Sequence, residues 1–149
     1  MSLQGIILEP GGGKMLAVGD SRIAFKLTGE HARGLAVFEH TIAPGSDTRL
    51  HIHRKMEELF YVLEGELEFR VDERKSRAGP GTFIFVPPGV AHAVSNPGAR
   101  PARTLVIVSP PGFEKYFEEL SRIVAEEDEL EPAVIALRKK YDTDHVGNT

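Results

Sequence analysis

The sequence predicts an all-β fold, a jelly-roll β-barrel with one or two C-terminal α-helices, and three observations carry that expectation. From Leu35 onward, short apolar or alternating segments recur at close spacing, over 35–42, 49–53, 58–64, 66–71, 82–86, 91–95 and 103–108. Turn chemistry separates them, at Pro44-Gly45, Glu64-Gly65, Gly79-Pro80-Gly81, Pro87-Pro88-Gly89 and Asn96-Pro97-Gly98. After Ser109-Pro110-Pro111-Gly112 the apolar period lengthens to that of an α-helix. Many short strands at such spacing close into a double sheet or barrel, because that is how antiparallel sheets hide their edges.

The elements follow in order. Residues 1–34 are broken by glycines, with short strands expected at 16–18 and 22–28. Pro10-Gly11-Gly12-Gly13-Lys14 lacks both the upstream glycine and the Ser or Thr of a phosphate loop, since Met15 follows Lys14, and reads as a mobile loop. Leu59-Phe60-Tyr61-Val62-Leu63 is apolar on both faces, so its outer side should be covered by a partner subunit or by the C-terminal helix. Phe113, Tyr116, Phe117, Leu120, Ile123 and Val124 form one helical face. A second helix runs from Pro132 through Val134, Ile135 and Leu137 to about Tyr141. The expected division is a barrel over 1–112, a helical extension over 113–141 packing on the barrel or on a partner, and a flexible tail over 142–149.

Bulk properties narrow the function. A length of 149 residues suits one domain with a single core. The net charge of −4, with no basic stripe, argues against nucleic acid or anionic membrane as partner and leaves a small molecule. Absence of cysteine excludes disulfides, thiolate metal sites and cysteine nucleophiles. No apolar run approaches the roughly 20 residues of a membrane span, and the N-terminus does not read as a signal peptide, so a cytoplasmic protein is expected. A homodimer formed by barrel faces is the expected assembly.

The candidate site rests on His51, His53, Glu58 and His92. His51 and His53 are one residue apart on a strand, so both rings point the same way. Glu58 shares their face only if the chain bends within Arg54-Lys55-Met56-Glu57, and His92 follows the Pro87-Pro88-Gly89 turn. A lone histidine on a strand is ordinarily a core or surface residue, which is the default reading for His31, His40 and His145. A pair of imidazoles is costly to bury without a metal or hydrogen-bonding partners. Three imidazoles and a carboxylate make the ligand set of one divalent ion, Fe, Mn, Ni, Co, Zn or Cu, and leave coordination positions open for chemistry.

These residues sit in two blocks that resemble the signature motifs of the cupin superfamily. Gly45, His51, His53, Glu58 and Gly65 fill the first motif, and Gly81, Pro87, Gly89, His92 and Asn96 fill the second. The six residues between Glu58 and Gly65 match the motif, whereas Glu57 stands one residue too far and on the opposite face, so Glu58 is the ligand. Glu57-Glu58-Leu-Phe-Tyr-Val-Leu-Glu-Gly65, Ala78-Gly-Pro-Gly-Thr-Phe-Ile-Phe-Val-Pro87 and Leu105-Val-Ile-Val-Ser-Pro-Pro-Gly-Phe113 are similar to the quercetin-dioxygenase-like monocupins. That resemblance implies a metal-dependent dioxygenase acting on a planar or enolisable substrate. The alternatives are a non-redox isomerase or decarboxylase and a non-enzymatic ligand-binding cupin. Glu58 is the candidate catalytic base, because a carboxylate that swings off the ion can take a hydroxyl proton. Phe38, His40, Phe60, Val62, Phe69, Phe85 and Val94 are the expected pocket residues.

Overall fold

The computed structural model describes residues 4–123 and 132–147. Eleven strands and two helices follow one another as β1 (Lys14–Val18), β2 (Ser21–Leu27), β3 (Ala36–Ile42), β4 (His51–Ile52), β5 (Glu57–Glu64), β6 (Leu67–Val71), β7 (Arg74–Ala78), β8 (Phe83–Val86), β9 (His92–Ser95), β10 (Ala102–Ser109), α1 (Glu114–Ile123), α2 (Pro132–Lys140) and β11 (Asp144–His145). They form two antiparallel sheets, in the orders β1-β2-β3-β10-β5-β8 and β11-β4-β9-β6-β7. The expected barrel is therefore a jelly-roll sandwich, with no continuous ladder closing one sheet onto the other. Among the described residues no helix is long and apolar enough to cross a membrane.

Strand period decides what each sheet buries. On β10, Ala102, Thr104, Val106 and Val108 point inward and the residues between them are partly exposed. On β5 the inward set is Glu58, Phe60 and Val62. Phe60 meets Phe69 of the facing sheet edge to face at 5.0 Å, so both sheets feed one core. Each valine or phenylalanine among them contributes roughly 1.5–3 kcal/mol when fully buried. A slip of one residue would send every one of them outward, which fixes the register and with it the inward aim of Glu58.

The non-ligand residues of the two motifs are fastenings. Asn96 is 1% exposed; its Nδ2 donates to the carbonyls of Ile42 and Arg100 at 2.9 and 2.8 Å, and its Oδ1 accepts from Gly98 N. Gly45 N donates to Asn96 O at 2.9 Å, joining the outer ends of the two motifs. Gly89 N donates to the carbonyl of the ligand residue His53 at 2.6 Å. Gly65 has φ 78°, and a Cβ there would lie 2.9 Å from Ala102 Cα, so both backbone conformation and space demand glycine.

Several expectations are corrected. Residues 142–147 are a docked segment instead of a flexible tail: β11 pairs with β4, and Thr143 is 2% exposed. Residues 148–149, and Val124 at the end of the first helical stripe, lie outside the described residues. Ile123 is 40% exposed, so the buried face of α1 is Tyr116, Phe117 and Leu120. β7, whose sequence Arg-Lys-Ser-Arg-Ala carries no apolar alternation, was not expected; it completes a hairpin with β6. Lys14 of the glycine-rich segment starts β1, and Lys26 Nζ donates to Gly12 O at 2.6 Å, so that loop is held. Among the described residues the C-terminal helices do not cover the outer face of β5 and its neighbour β8, where Tyr61, Phe83 and Phe85 are 45%, 60% and 45% exposed.

Candidate metal centre

β4, β5 and β9 bring the four residues together. β4 pairs with β9 through His51 opposite His92, which places their rings 4.3 Å apart. His53 follows on the same face, 4.9 Å from each of the other rings. The bend expected after His53 exists: Asp142 accepts the backbone N–H groups of Arg54, Lys55 and Met56 at 2.9, 2.9 and 3.1 Å, turning the chain so that Glu58 enters β5 facing inward. His51, His53, Glu58 and His92 are all buried, and one ligand atom from each lies within 4.8 Å of the others.

Hydrogen bonds fix the tautomers. His51 Nδ1 meets Arg49 O at 2.7 Å, His53 Nδ1 meets Asp142 O at 2.9 Å, and His92 Nδ1 meets Val90 O at 3.0 Å. A carbonyl can only accept, so each Nδ1 carries the hydrogen and each Nε2 presents its lone pair to the cluster. His92 Nε2 lies 3.1 Å and His53 Nε2 3.3 Å from Glu58 Oε1. His53 Nε2 is buried without hydrogen-bond geometry to any partner among the described residues. Lone pairs and a carboxylate converging in a buried space repel unless a cation stands between them. The donor set therefore fits one divalent ion, and these four residues could hold it.

The protonation of the ion-free cluster agrees with this. Burial works against ionised Glu58, but the close approach of the His53 and His92 rings outweighs it and holds its carboxyl well below the usual carboxylate range. Burial likewise opposes the imidazolium of His53, yet Glu58 and Asp142 raise its pKa above the ordinary value. His51, penalised by burial and by the neighbouring His92, His53 and Arg138, is driven well below its ordinary pKa and stays neutral.

The cluster opens into a cavity of about 370 Å³. Of the expected pocket residues, Phe38, His40, Phe60 and Val94 line it. Val62 and Phe69 are buried at 0% and 3% but lie in the core away from the cavity wall. Phe85 is a correction: it stands opposite Leu59 on the outer face of the sheet, because Val86 is the inward residue opposite Glu58. α1 and Phe113 just before it supply a wall that strand reasoning missed, with Phe117 5.1 Å from Phe38 and Phe113 5.4 Å from His53. Tyr116 and Leu120 join it, and Arg138 of α2 and Thr143 complete the lining. The helical period of 113–124 signalled burial, and the cavity wall is what that face buries against. His40, half-buried beside Phe117 at 5.9 Å, has its pKa lowered to about 4, because desolvation outweighs the attraction of Glu58. His31 is held by Thr28 in an exposed loop, and His145 pairs with His51 across β11 and β4 without joining the cluster.

Comparison with known proteins agrees with this geometry. Residues 38–108 match the family model for the cupin domain. An uncharacterized protein of Methanocaldococcus jannaschii, MJ1618, is 36% identical over 73 residues, covering 49% of this chain and 58% of that protein. The tetracenomycin polyketide synthase protein TcmJ of Streptomyces glaucescens is 33% identical over 69 residues, 46% of each chain. This chain thus spans about half the length of the curated relatives it matches. The solved structure of TT1209 from Thermus thermophilus superposes with a TM-score of 0.52 at 31% identity, covering 59% of this chain and 83% of that one. With both signature motifs complete, the matched segment carrying them and the jelly-roll sandwich around them, residues 38–108 form a cupin domain.

Proposed function

We propose that this cupin is a metal-dependent enzyme acting on a small, planar, enolisable molecule, with dioxygenase chemistry as the first reading. The observation that carries it is the composition of the cavity: three imidazole Nε2 atoms and the Glu58 carboxylate at one end, and an aromatic wall of Phe38, Phe60, Phe113, Tyr116 and Phe117 around the rest. About 370 Å³ lies in the range of small-molecule sites, and flat apolar walls favour a ring system over a sugar phosphate.

His51, His53 and His92 would hold the ion through Nε2, with Glu58 as fourth ligand. A divalent ion held there would supply Lewis acidity to substrate oxygens. Glu58, ionised throughout the neutral range, accepts the hydroxyl proton of the incoming substrate at a carboxylate oxygen. His40, neutral at pH 7, offers one donor and one acceptor from the opposite wall. The aromatic residues of α1 exclude water and press the substrate plane toward the ligands.

One observation favours a second reading, a non-redox reaction on an enolate. TcmJ is by name a polyketide synthase protein, and a polyketide chain is enolisable along its length. One experiment separates the two. Protein purified without added metal is assayed by elemental analysis, then followed for oxygen uptake and substrate loss with flavonols and cyclic β-diketones. Metal-dependent oxygen uptake supports the dioxygenase; substrate loss without uptake supports the second reading; neither turnover nor binding by metal-loaded protein overturns both. We also propose that the chain is a homodimer paired through the outer face of β5 and β8. There Leu59 stands opposite Phe85 and Tyr61 opposite Phe83, presenting a contiguous apolar strip that an identical strip would cover.

A further inference from the structure

The hydrogen-bonded support of the three imidazoles is divided unevenly. His51 and His92 each donate to a carbonyl two residues earlier in the chain, so their aim is set by their own strands. His53 reaches 89 residues, to the backbone carbonyl of Asp142, and its Nδ1 also lies 3.2 Å from Thr143 Oγ1. Thr143 Oγ1 donates its own hydrogen to Tyr141 O at 3.1 Å, leaving the oxygen to accept from His53. Both contacts therefore force the same tautomer, with the hydrogen on Nδ1 and the Nε2 lone pair toward the cluster.

The same short segment grips the rest of the ligand-bearing chain. The Asp142 carboxylate gathers the amides of Arg54, Lys55 and Met56, the bend that carries the chain from His53 to Glu58. Asp142 holds a left-handed φ of 56°, a conformation that aspartate tolerates better than most non-glycine residues, and these bonds help hold it. Asp144 and His145 pair with Ile52 and His51, Asp144 Oδ2 accepts from Arg54 Nε at 2.8 Å, and Val146 N donates to Leu50 O at 2.9 Å. Two ligands on one strand and the bend leading to a third are thus tied to residues 142–146, beyond the matched segment 38–108.

We propose that residues 142–146 are a working part of the metal centre: Asp142 and Thr143 are positioning residues that orient His53 for the ion, so that ion binding and docking of this segment are thermodynamically coupled. The inference rests on the four-residue cluster being a metal site. Coupling is reciprocal: whatever the docked segment adds to ion affinity, the ion returns to docking.

The test uses the full chain and Co(II) alone as probe. Thr143→Val removes the hydroxyl and keeps the shape. Asp142→Gly removes the carboxylate and accepts the left-handed φ. Removal of outer-shell partners typically weakens metal affinity roughly 10–100-fold, and that loss is expected here by chelator competition, with a shifted visible Co(II) spectrum reporting altered ligand geometry. Leu67→Ala is the control, a fully buried core residue away from the cavity wall. It should lower unfolding stability while leaving Co(II) affinity within about two-fold of wild type, showing that lost stability alone does not move the readout. In wild type, Co(II) should slow hydrogen exchange at the Val146 amide by about ten-fold or more, of the order of the coupling.

The outcomes are distinct. Undiminished Co(II) affinity and spectrum in both variants, or exchange at Val146 indifferent to Co(II), overturns the inference and leaves the metal site standing. Wild-type chain that binds no Co(II) overturns the site and the inference together. A loss in Leu67→Ala equal to that in the two variants also overturns it, since instability would then be the whole cause.

Discussion

Glu58→Gln separates the two roles that one side chain combines. The substitution is nearly isosteric at a position 6% exposed, so packing is kept. The glutamine amide can donate to His92 Nε2, where the carboxylate now lies at 3.1 Å, so the ion-free fold should tolerate the change. Each histidine keeps its aim, because its Nδ1–H is held by a carbonyl that Glu58 does not touch. Three imidazoles can retain a divalent ion, as in several catalytic zinc sites, so a good fraction of the metal should remain. What is lost is the base. General-base contributions of about 10²–10⁴-fold correspond to about 3–5 kcal/mol of barrier, and turnover should fall by at least roughly 10². The assay is steady-state turnover at metal content matched to wild type by elemental analysis, with His51→Ala as the contrast that loses metal and activity together. Undiminished turnover by Glu58→Gln at matched metal would refute the reasoning and move the proton transfer to His40 or to the substrate itself.

Three further predictions follow from local geometry. His40 is held neutral in the folded state, with its pKa lowered to about 4, while the unfolded chain takes up that proton near 6.5. Its contribution to stability is therefore full above pH 6.5 and lost as pH falls toward 4, by up to about 3 kcal/mol; urea midpoints of metal-free protein over that window should flatten in His40→Gln, and an unchanged slope would contradict the assignment. Gly65→Ala forces a left-handed φ of 78° on a residue whose Cβ meets Ala102 at 2.9 Å; it should lower stability by about 2 kcal/mol or more, and a melting temperature within a degree of wild type would show the turn to be relaxed. Phe83→Glu with Phe85→Glu places charge on the outer strip of β8; light scattering should report a dimer for wild type and a monomer for the variant, and an unchanged mass would remove this face from the proposed interface.

Much of the fold was legible because it is written in period. β5 is apolar on both faces, and it is the inward aim of Glu58 that carries Phe60 and Val62 inward with it by strand parity. Where no such anchor exists, the reading fails. β8 is Phe-Ile-Phe-Val, apolar on both faces, and only its pairing with β5 shows that Phe85 faces out. Facing inward is also a weaker statement than lining a cavity: Val62 and Phe69 satisfy the first and not the second, because the cavity occupies one end of the sandwich and they lie beyond it. Arg138 reads in sequence as a basic residue favouring the end of a helix, and only packing reveals a 4% exposed guanidinium in the cavity wall.

The four candidate ligands were legible because spacing and strand period decide which side chains converge. Their orientation was legible only in part, and the division is physical. A strand residue that bonds a carbonyl two positions back carries its support within its own motif, so reading His51 or His92 reads that support as well. His53 leans on Asp142 and Thr143, whose neighbours Tyr141, Asp144 and His145 show no apolar period and no turn signature. Polarity in that stretch suggested a solvated tail, yet its polar groups are satisfied by backbone amides and by a ring nitrogen 89 residues away. Hydrogen bonds of that kind leave no local trace, since an aspartate that caps a distant bend has the same composition as one that faces water. Sequence motifs therefore name the atoms that could bind an ion, while part of the force that aims one of them comes from outside the motifs.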